Sequence, residues 1–255
     1  MSTTRPNGSL YTKIQNNIAT IAFGHPASNS FPSELLDRLT KEIISLGKNT
    51  EVFVIILKSE GEKAFCAGAS FDELVAISNL EQGKQFFSGF ANVINAMRTC
   101  GKLIIGRIQG KAVGGGVGLA AACDYVLATE NAAIKLSEFT IGIGPFVIEP
   151  AVTRKMGVSG TAELTLDATN WKNAYWAKEK GLYARVFETA KELDAAIELL
   201  SEKLASYNLA ALTEMKKVLW KGTENWNDLL EERAAVSGEL VLSAFTKKAL
   251  AKFKK

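Results

Sequence analysis

Two glycine-containing loops are the segments of this chain best suited to chemistry. They are Lys63-Ala64-Phe65-Cys66-Ala67-Gly68-Ala69 and Gly110-Lys111-Ala112-Val113-Gly114-Gly115-Gly116-Val117-Gly118-Leu119. Each follows an apolar run that reads as a buried strand. A strand that ends in small residues and opens into a helix leaves backbone N–H groups without partners, aimed at one spot. Such a cradle holds an anion, or an oxygen on which charge develops during a reaction. The competing reading is a tight turn where a helix packs closely on a strand. Neither loop matches a phosphate-binding fingerprint: no G-x-G-x-x-G occurs around Gly114–Gly118 and no G-x-x-x-x-G-K-[ST] occurs in the chain. Nucleotide readings lose their support accordingly.

A loop of donors needs an acid or base beside it. Glu138, just after the apolar stretch Ala133-Ile134-Lys135-Leu136, is one candidate, although a glutamate at a strand end is commonly a solvated surface residue. Asp72 and Glu73 follow the first loop and suit the N-terminal turn of a helix. Glu149 either faces a pocket or simply begins a helix before Pro150, and Asp124 reads as structural. His25, the single histidine, sits in a polar turn before Pro26 and is given no role. Cys66 has no histidine near it in sequence to activate it and reads as a small packing residue.

The elements that must position these groups follow from periodicity. Leu10–Gln15 and Ile18–Phe23 alternate and are joined by Asn16-Asn17, a hairpin signal. Leu35, Leu36, Leu39, Ile43 and Leu46 mark an amphipathic helix, with Ser30 or Ser33 as its cap and Gly47 at its end. The runs 52–57, 103–105, 125–128 and 133–136 read as strands, the first of them buried on both faces. Helical patterns at 82–99 and 146–156 lie between or after them, so an α/β domain with largely parallel pairing is expected. Beyond a short strand at 183–187, helices are expected over 190–205, 209–221 and 224–254, with apolar faces that bury against the body or another subunit. Trp171 and Trp176 read as core or interface anchors. The basic run 246–255 reads as a solvated helix end, or as a source of lysines for a phosphate.

These residues resemble a family. Lys63–Ala69 with Phe71-Asp72-Glu73-Leu74, then Gly110–Asp124, then Leu136-Ser137-Glu138 and Leu166–Phe187, are similar in order and type to the signature segments of the crotonase superfamily (enoyl-CoA hydratase/isomerase family). The resemblance covers most of the chain and is densest from 52 to 187. It implies an α/β spiral of β-β-α turns over 1–190 carrying both loops, and a C-terminal helical region over 191–255 used in trimer formation. It implies that the N–H groups of Ala69 and Gly115 form an oxyanion hole for a thioester carbonyl, with Glu138 as the acid-base residue. It also implies that CoA docks along Lys63, Ala64, Phe65, Ala67, Gly68 and Gly114. Many hydratases of the family carry a second carboxylate three residues after the second oxyanion glycine; here that position is Gly118. The single-glutamate pattern favours enoyl-CoA isomerisation. The alternatives are an enoyl-CoA hydratase of fatty-acid or branched-chain acyl catabolism, and a non-catalytic acyl-CoA- or RNA-binding relative. The bulky Phe146-Val147-Ile148, where many hydratases are glycine-rich, suggests an apolar acyl pocket.

Composition agrees with this. The chain has 255 residues, 47% hydrophobic and 22% charged, enough for one large core. A net charge of +3 does not call for nucleic acid or membrane as a partner. The expected partner is an acyl-CoA substrate, with no cofactor beyond its CoA moiety, no metal, and a homotrimer or dimer of trimers as the assembly. Three cysteines, Cys66, Cys100 and Cys123, match neither a zinc site nor a redox pair and fit a reducing compartment. The N-terminal sequence lacks a signal-peptide h-region, and no run is long enough for a membrane span, so a cytoplasmic protein is expected.

Overall fold

The computed structural model describes residues 7–252. The chain opens with the antiparallel hairpin β1 (Ser9–Gln15) and β2 (Ile18–Gly24). Its two-residue turn is the one read from sequence, with Asn16 and Asn17 at φ 51° and 62°. Both central residues at positive φ match the twist of the strands, and asparagine tolerates that region.

Three similar turns of chain follow. The first is β3 (Val54–Ser59), β4 (Ala64–Cys66), then α2 (Phe71–Ala76) and α3 (Leu80–Thr99). The second is β5 (Leu103–Ile108), β6 (Lys111–Val113) and α4 (Gly115–Ala122). The third is β7 (Tyr125–Thr129), β8 (Ile134–Lys135), a 3-10 turn (Glu138–Ile141) and α5 (Glu149–Leu166), which kinks at Gly157. In each, the first strand joins a six-stranded sheet ordered β1-β2-β3-β5-β7-β9 and the second joins a three-stranded sheet, β4-β6-β8. The β9 strand is Arg185–Phe187. From β2 onward the named strands pair in parallel. This is the β-β-α spiral, and it stacks β4, β6 and β8 side by side. The segments leaving those three strands therefore converge on one place.

The remaining helices are α1 (Ser33–Lys48), α6 (Ala174–Glu179), α7 (Ala190–Ala205), α8 (Leu209–Leu219), α9 (Trp226–Leu240) and α10 (Ala244–Ala251). The apolar face of α7 buries Leu193 and Ile197 against Val54, Ile56, Ile105 and Leu127 of the large sheet. The α9 helix lies antiparallel on α3: Arg98 Nη2 donates to Asn227 Oδ1 (2.9 Å), while a Cβ on Gly83 would stand 2.7 Å from the Gly238 carbonyl oxygen. The C-terminal helices thus bury against the body of their own chain.

Three expectations need correction. The α1 helix is capped by neither Ser30 nor Ser33: Pro32 holds the cap position, and the Glu73 carboxylate of α2 accepts from Ser33 N (2.9 Å) and Ser33 Oγ (2.5 Å). It also continues through Gly47 to Lys48, because Gly47 meets Cys100 and a left-handed stop is not used. The single helix expected over 224–254 is two helices: the first ends at Leu240, and Ser243 caps the next, accepting from Thr246 N at 3.2 Å. Residues 253–255 of the basic tail lie outside the described residues. Asp124 is structural, as read: it accepts from Lys216 Nζ (3.0 Å), Trp220 Nε1 (2.6 Å) and Ile104 N (2.7 Å) in a buried cluster.

Candidate active site

The segments leaving β4, β6 and β8 enclose a cavity of about 180 Å³. Its polar wall is Ala67, Gly68, Ala69, Val113, Gly114, Gly115, Ser137 and Glu138; apart from Ser237, the rest is apolar. The two glycine loops touch there. A Cβ on Gly68, whose φ is +90°, would sit 3.1 Å from the Val113 carbonyl oxygen and 3.5 Å from Gly115 N. Only glycine allows that approach.

Both loops leave a donor free. At Ala69 the chain bridges to Phe31 through its neighbours: Phe31 N donates to Gly68 O (2.8 Å) and Ser70 N to Phe31 O (2.9 Å). The Ala69 N–H itself faces away from that bridge. Gly114 has φ 53° and ψ −119°, the first central conformation of a type II′ turn, which glycine adopts without strain. Its own N–H is held by Lys135 O (3.0 Å), and Gly115 then begins α4 with no carbonyl available for its N–H. Ala69 and Gly115 both line the cavity. Two preoriented N–H donors at one wall can stabilise an oxygen that gains charge, each typically worth ~2.7–4 kcal/mol of barrier.

Glu138 begins the 3-10 turn after β8. The residue as a whole is half-buried, yet its Oε2 is enclosed and has no hydrogen-bond partner. Burial without a cation raises the carboxyl from an ordinary 4.5 to about 7, against the opposing pull of the backbone N–H groups of Glu138 and Ser137. Its Oε1 lies 2.9 Å from where a Gly114 Cβ would be, so the carboxylate adjoins the turn that presents Gly115. The turn is fixed from outside by α10: a Cβ on Gly142 (φ +83°) would meet Phe245 Cδ1 at 2.5 Å and Thr246 Oγ1 at 2.6 Å. A carboxyl poised near neutrality beside two free donors can take a proton from carbon and return it.

The other carboxylates are elsewhere. Glu149 accepts from Thr153 Oγ1 (2.5 Å) inside α5 and is absent from the cavity wall, so of the two sequence readings it is the helix start. Glu73 holds α1, and Asp72 is exposed. At Gly118 a Cβ would stand 2.4 Å from Ile148 Cγ2, so Ile148 fills the space a longer side chain would need. Burial pushes the Cys66 thiol up to about 12, as befits a packing residue. Among the described residues, Glu138 is the one titratable side chain on the cavity wall.

Of the six residues expected along CoA, the cavity includes Ala67, Gly68 and Gly114. Lys63 is exposed at the edge strand β4, the Ala64 carbonyl accepts from Asn29 Nδ2 (2.8 Å), and the Phe65 ring is buried on Phe23. Trp171 is not a core residue; it lies at the surface with Lys111 Nζ 4.9 Å from its ring centroid. Trp176 packs on the core and donates to Glu163 Oε1 (3.0 Å).

The model of the enoyl-CoA hydratase/isomerase family matches residues 13–254. The chain belongs to that family. Among curated relatives, the family's peroxisomal Δ(3,5)-Δ(2,4)-dienoyl-CoA isomerase of Arabidopsis thaliana is 29% identical over 77% of this chain and 74% of its own length. The short-chain-enoyl-CoA hydratase of Clostridium acetobutylicum is 28% identical over 82% and 80%. In fold, the enoyl-CoA hydratase of Bacillus halodurans superposes with a TM-score of 0.88 at 23% identity, covering 95% of this chain and 99% of that one. This is an enzyme of the crotonase fold, in a family that includes both isomerases and hydratases.

Sequence reading found Phe146, Val147 and Ile148, which do line the cavity, but missed Phe86, Phe87 and Phe90 of α3 and Ser237 of α9. The three phenylalanines were visible only as part of the apolar stripe of α3. Ser237 carried no signal.

Proposed function

We propose that this enzyme isomerises a 3-enoyl-CoA to the conjugated 2-enoyl-CoA, with Glu138 as its one acid-base group and the N–H groups of Ala69 and Gly115 as the oxyanion hole. The observation that carries the reading is that Glu138 is the only titratable side chain on the cavity wall among the described residues. Glu138 takes a proton from C2 of the acyl group, and the electron pair spreads over a dienolate whose negative oxygen the two N–H donors hold. The C3–C4 double bond shifts to C2–C3, and Glu138 returns a proton at C4. One base suffices because it gives back at C4 the proton it took from C2. Hydration also needs a water held and deprotonated while C2 is protonated, work that two carboxylates share; Ile148 occupies the space beside Gly118 where a second would stand. The substrate's CoA moiety extends along the first loop, in an assembly we take to be a cytoplasmic homotrimer or dimer of trimers.

The direct assay is absorbance of the conjugated thioester with trans-3-hexenoyl-CoA and, separately, crotonyl-CoA. The expected result is a rising signal from the first and little loss from the second. A fast fall with crotonyl-CoA makes the enzyme a hydratase. Its pH profile has a definite sense as well. The base must be ionised, so kcat/KM should climb through about pH 7 and level off above it, following the raised Glu138 carboxyl. A profile flat from pH 5 to 9 would remove Glu138 from that role.

The cavity also defines the acyl group. No Lys, Arg or His is on its wall among the described residues. A second carboxylate on the acyl chain would be buried unpaired near Glu138, at a cost of several kcal/mol. A 3-enoyl-CoA ending in a carboxylate should therefore show kcat/KM at least about 100-fold below that of the hydrocarbon analogue of equal length.

A further inference from the structure

Among the described residues the cavity wall includes one from the C-terminal helices, Ser237 of α9. Its place relative to the reacting end follows from α3, which lines the pocket with Phe86, Phe87 and Phe90. At one end Phe90 packs on the second loop, since a Cβ on Gly115 would meet Phe90 Cζ at 2.2 Å. Two turns earlier Gly83 crosses Gly238, the neighbour of Ser237, closely enough that a Cβ on Gly238 would stand 2.6 Å from Lys84 N. Between them Phe86 and Phe87 line the cavity. From Phe90 back to Gly83 the helix rises roughly 10 Å. Ser237 therefore stands at the end of the pocket away from the oxyanion donors.

The apolar lining between the donors and α9 supports an acyl floor. Leu74, Phe86, Ile143, Val241 and Leu250 form an apolar cluster separate from the main core. The cluster reaches from Ala69 at the donor end, through Phe87 and Ile141, to Leu240 of α9, all packed on it. It is built where α2, α3 and the 141–143 turn meet α9 and α10. Ser237 is buried, and its Oγ donates to the Arg233 carbonyl of its own helix (3.0 Å). It presents a small, satisfied surface that asks for no polar partner from a ligand. The close crossing at Gly83 and Gly238 holds α9 against α3, so this floor cannot retreat without separating the helices.

We infer that Ser237 on α9 is the floor of the acyl pocket and sets the longest acyl chain this enzyme accepts. With C–C bonds of about 1.5 Å, a zigzag chain of about eight carbons spans the distance. The inference rests on the proposed isomerase reading for the orientation of the acyl chain, but its test does not depend on turnover.

Binding of saturated butanoyl-, hexanoyl-, octanoyl-, decanoyl- and dodecanoyl-CoA would be measured by calorimetry for the native enzyme, Ser237→Leu and Ser237→Val. Affinity of the native enzyme should rise with length to about eight carbons and drop at least tenfold by twelve. Ser237→Leu should lower the ratio of octanoyl to butanoyl affinity tenfold or more, and Ser237→Val by a smaller factor in the same direction. Should Leu prevent folding, the Val variant still decides. Equal losses at every length would make Ser237 merely structural, and an unchanged ratio would place the floor elsewhere; either overturns the inference. Length-dependent binding without turnover of any 3-enoyl-CoA would overturn the isomerase reading instead and leave the floor intact.

Discussion

Glu138→Gln should lose at least about 1,000-fold in kcat on trans-3-hexenoyl-CoA while gaining stability at alkaline pH. Both effects come from one arrangement, a carboxyl enclosed without a cation or a hydrogen bond to Oε2. The amide keeps the shape and cannot accept the proton, and a positioned acid-base group contributes typically 10²–10⁴-fold. Among the described residues no second carboxylate on the wall can take over, so the loss belongs in the upper part of that range. The stability effect has a fixed sign. Folding raises this carboxyl from 4.5 to about 7, so between those values the native state binds a proton that the unfolded state has released. The contribution of this group is therefore full below pH 4.5, is lost as pH rises from 4.5 through 7, and levels off above that, about 3 kcal/mol lower. Thermal unfolding of both forms from pH 5 to 9 checks it: the variant's advantage in Tm should widen with pH and then level off. An advantage that does not change with pH would mean the carboxyl titrates normally.

Gly115→Ala should lower kcat about 100-fold without adding or removing any polar group. Its Cβ would stand 2.2 Å from Phe90 Cζ and 2.5 Å from Cε1, closer than real contacts permit. The Phe90 ring is buried and packed on Phe31, so relief displaces the start of α4 by about 1 Å, and a misplacement of that size at a reacting centre can cost 10²-fold. The N–H that moves is the proposed oxyanion donor, so KM should change less than kcat. Phe90→Ala in the same chain removes the obstructing ring. The double variant should recover at least part of the kcat lost by Gly115→Ala, a coupling that independent effects would not produce. If the double variant is as slow as the product of the two single losses, the clash is not the cause.

How much of this was legible in the sequence depended on whether a residue's role is local. The hairpin at Asn16-Asn17, the strand runs and both glycine loops were readable, because turn geometry and buried strands leave marks within a few residues. Glu138 stood out only through the order of segments around it; by itself it is one of many glutamates, and what distinguishes it is enclosure, a tertiary property. The cap of α1 was misassigned because its acceptor, Glu73, lies forty positions away on α2. The break between Leu240 and Ser243 was missed because apolar residues continue in helical rhythm on both sides of it. Ser237 and the α3 phenylalanines reach the cavity through the crossing at Gly83 and Gly238, and a glycine pair so far apart in the chain announces no contact in advance.

The central claim is that one carboxylate carries a proton from C2 to C4. The most direct measurement is the fate of label in 3-hexenoyl-CoA deuterated at C2, turned over in ordinary water and followed by NMR of the product. The account predicts a conjugated product with a substantial share of the deuterium at C4, delivered by Glu138, and no such product from Glu138→Gln. A 3-hydroxyacyl product, or a conjugated product formed as fast by Glu138→Gln, would contradict it.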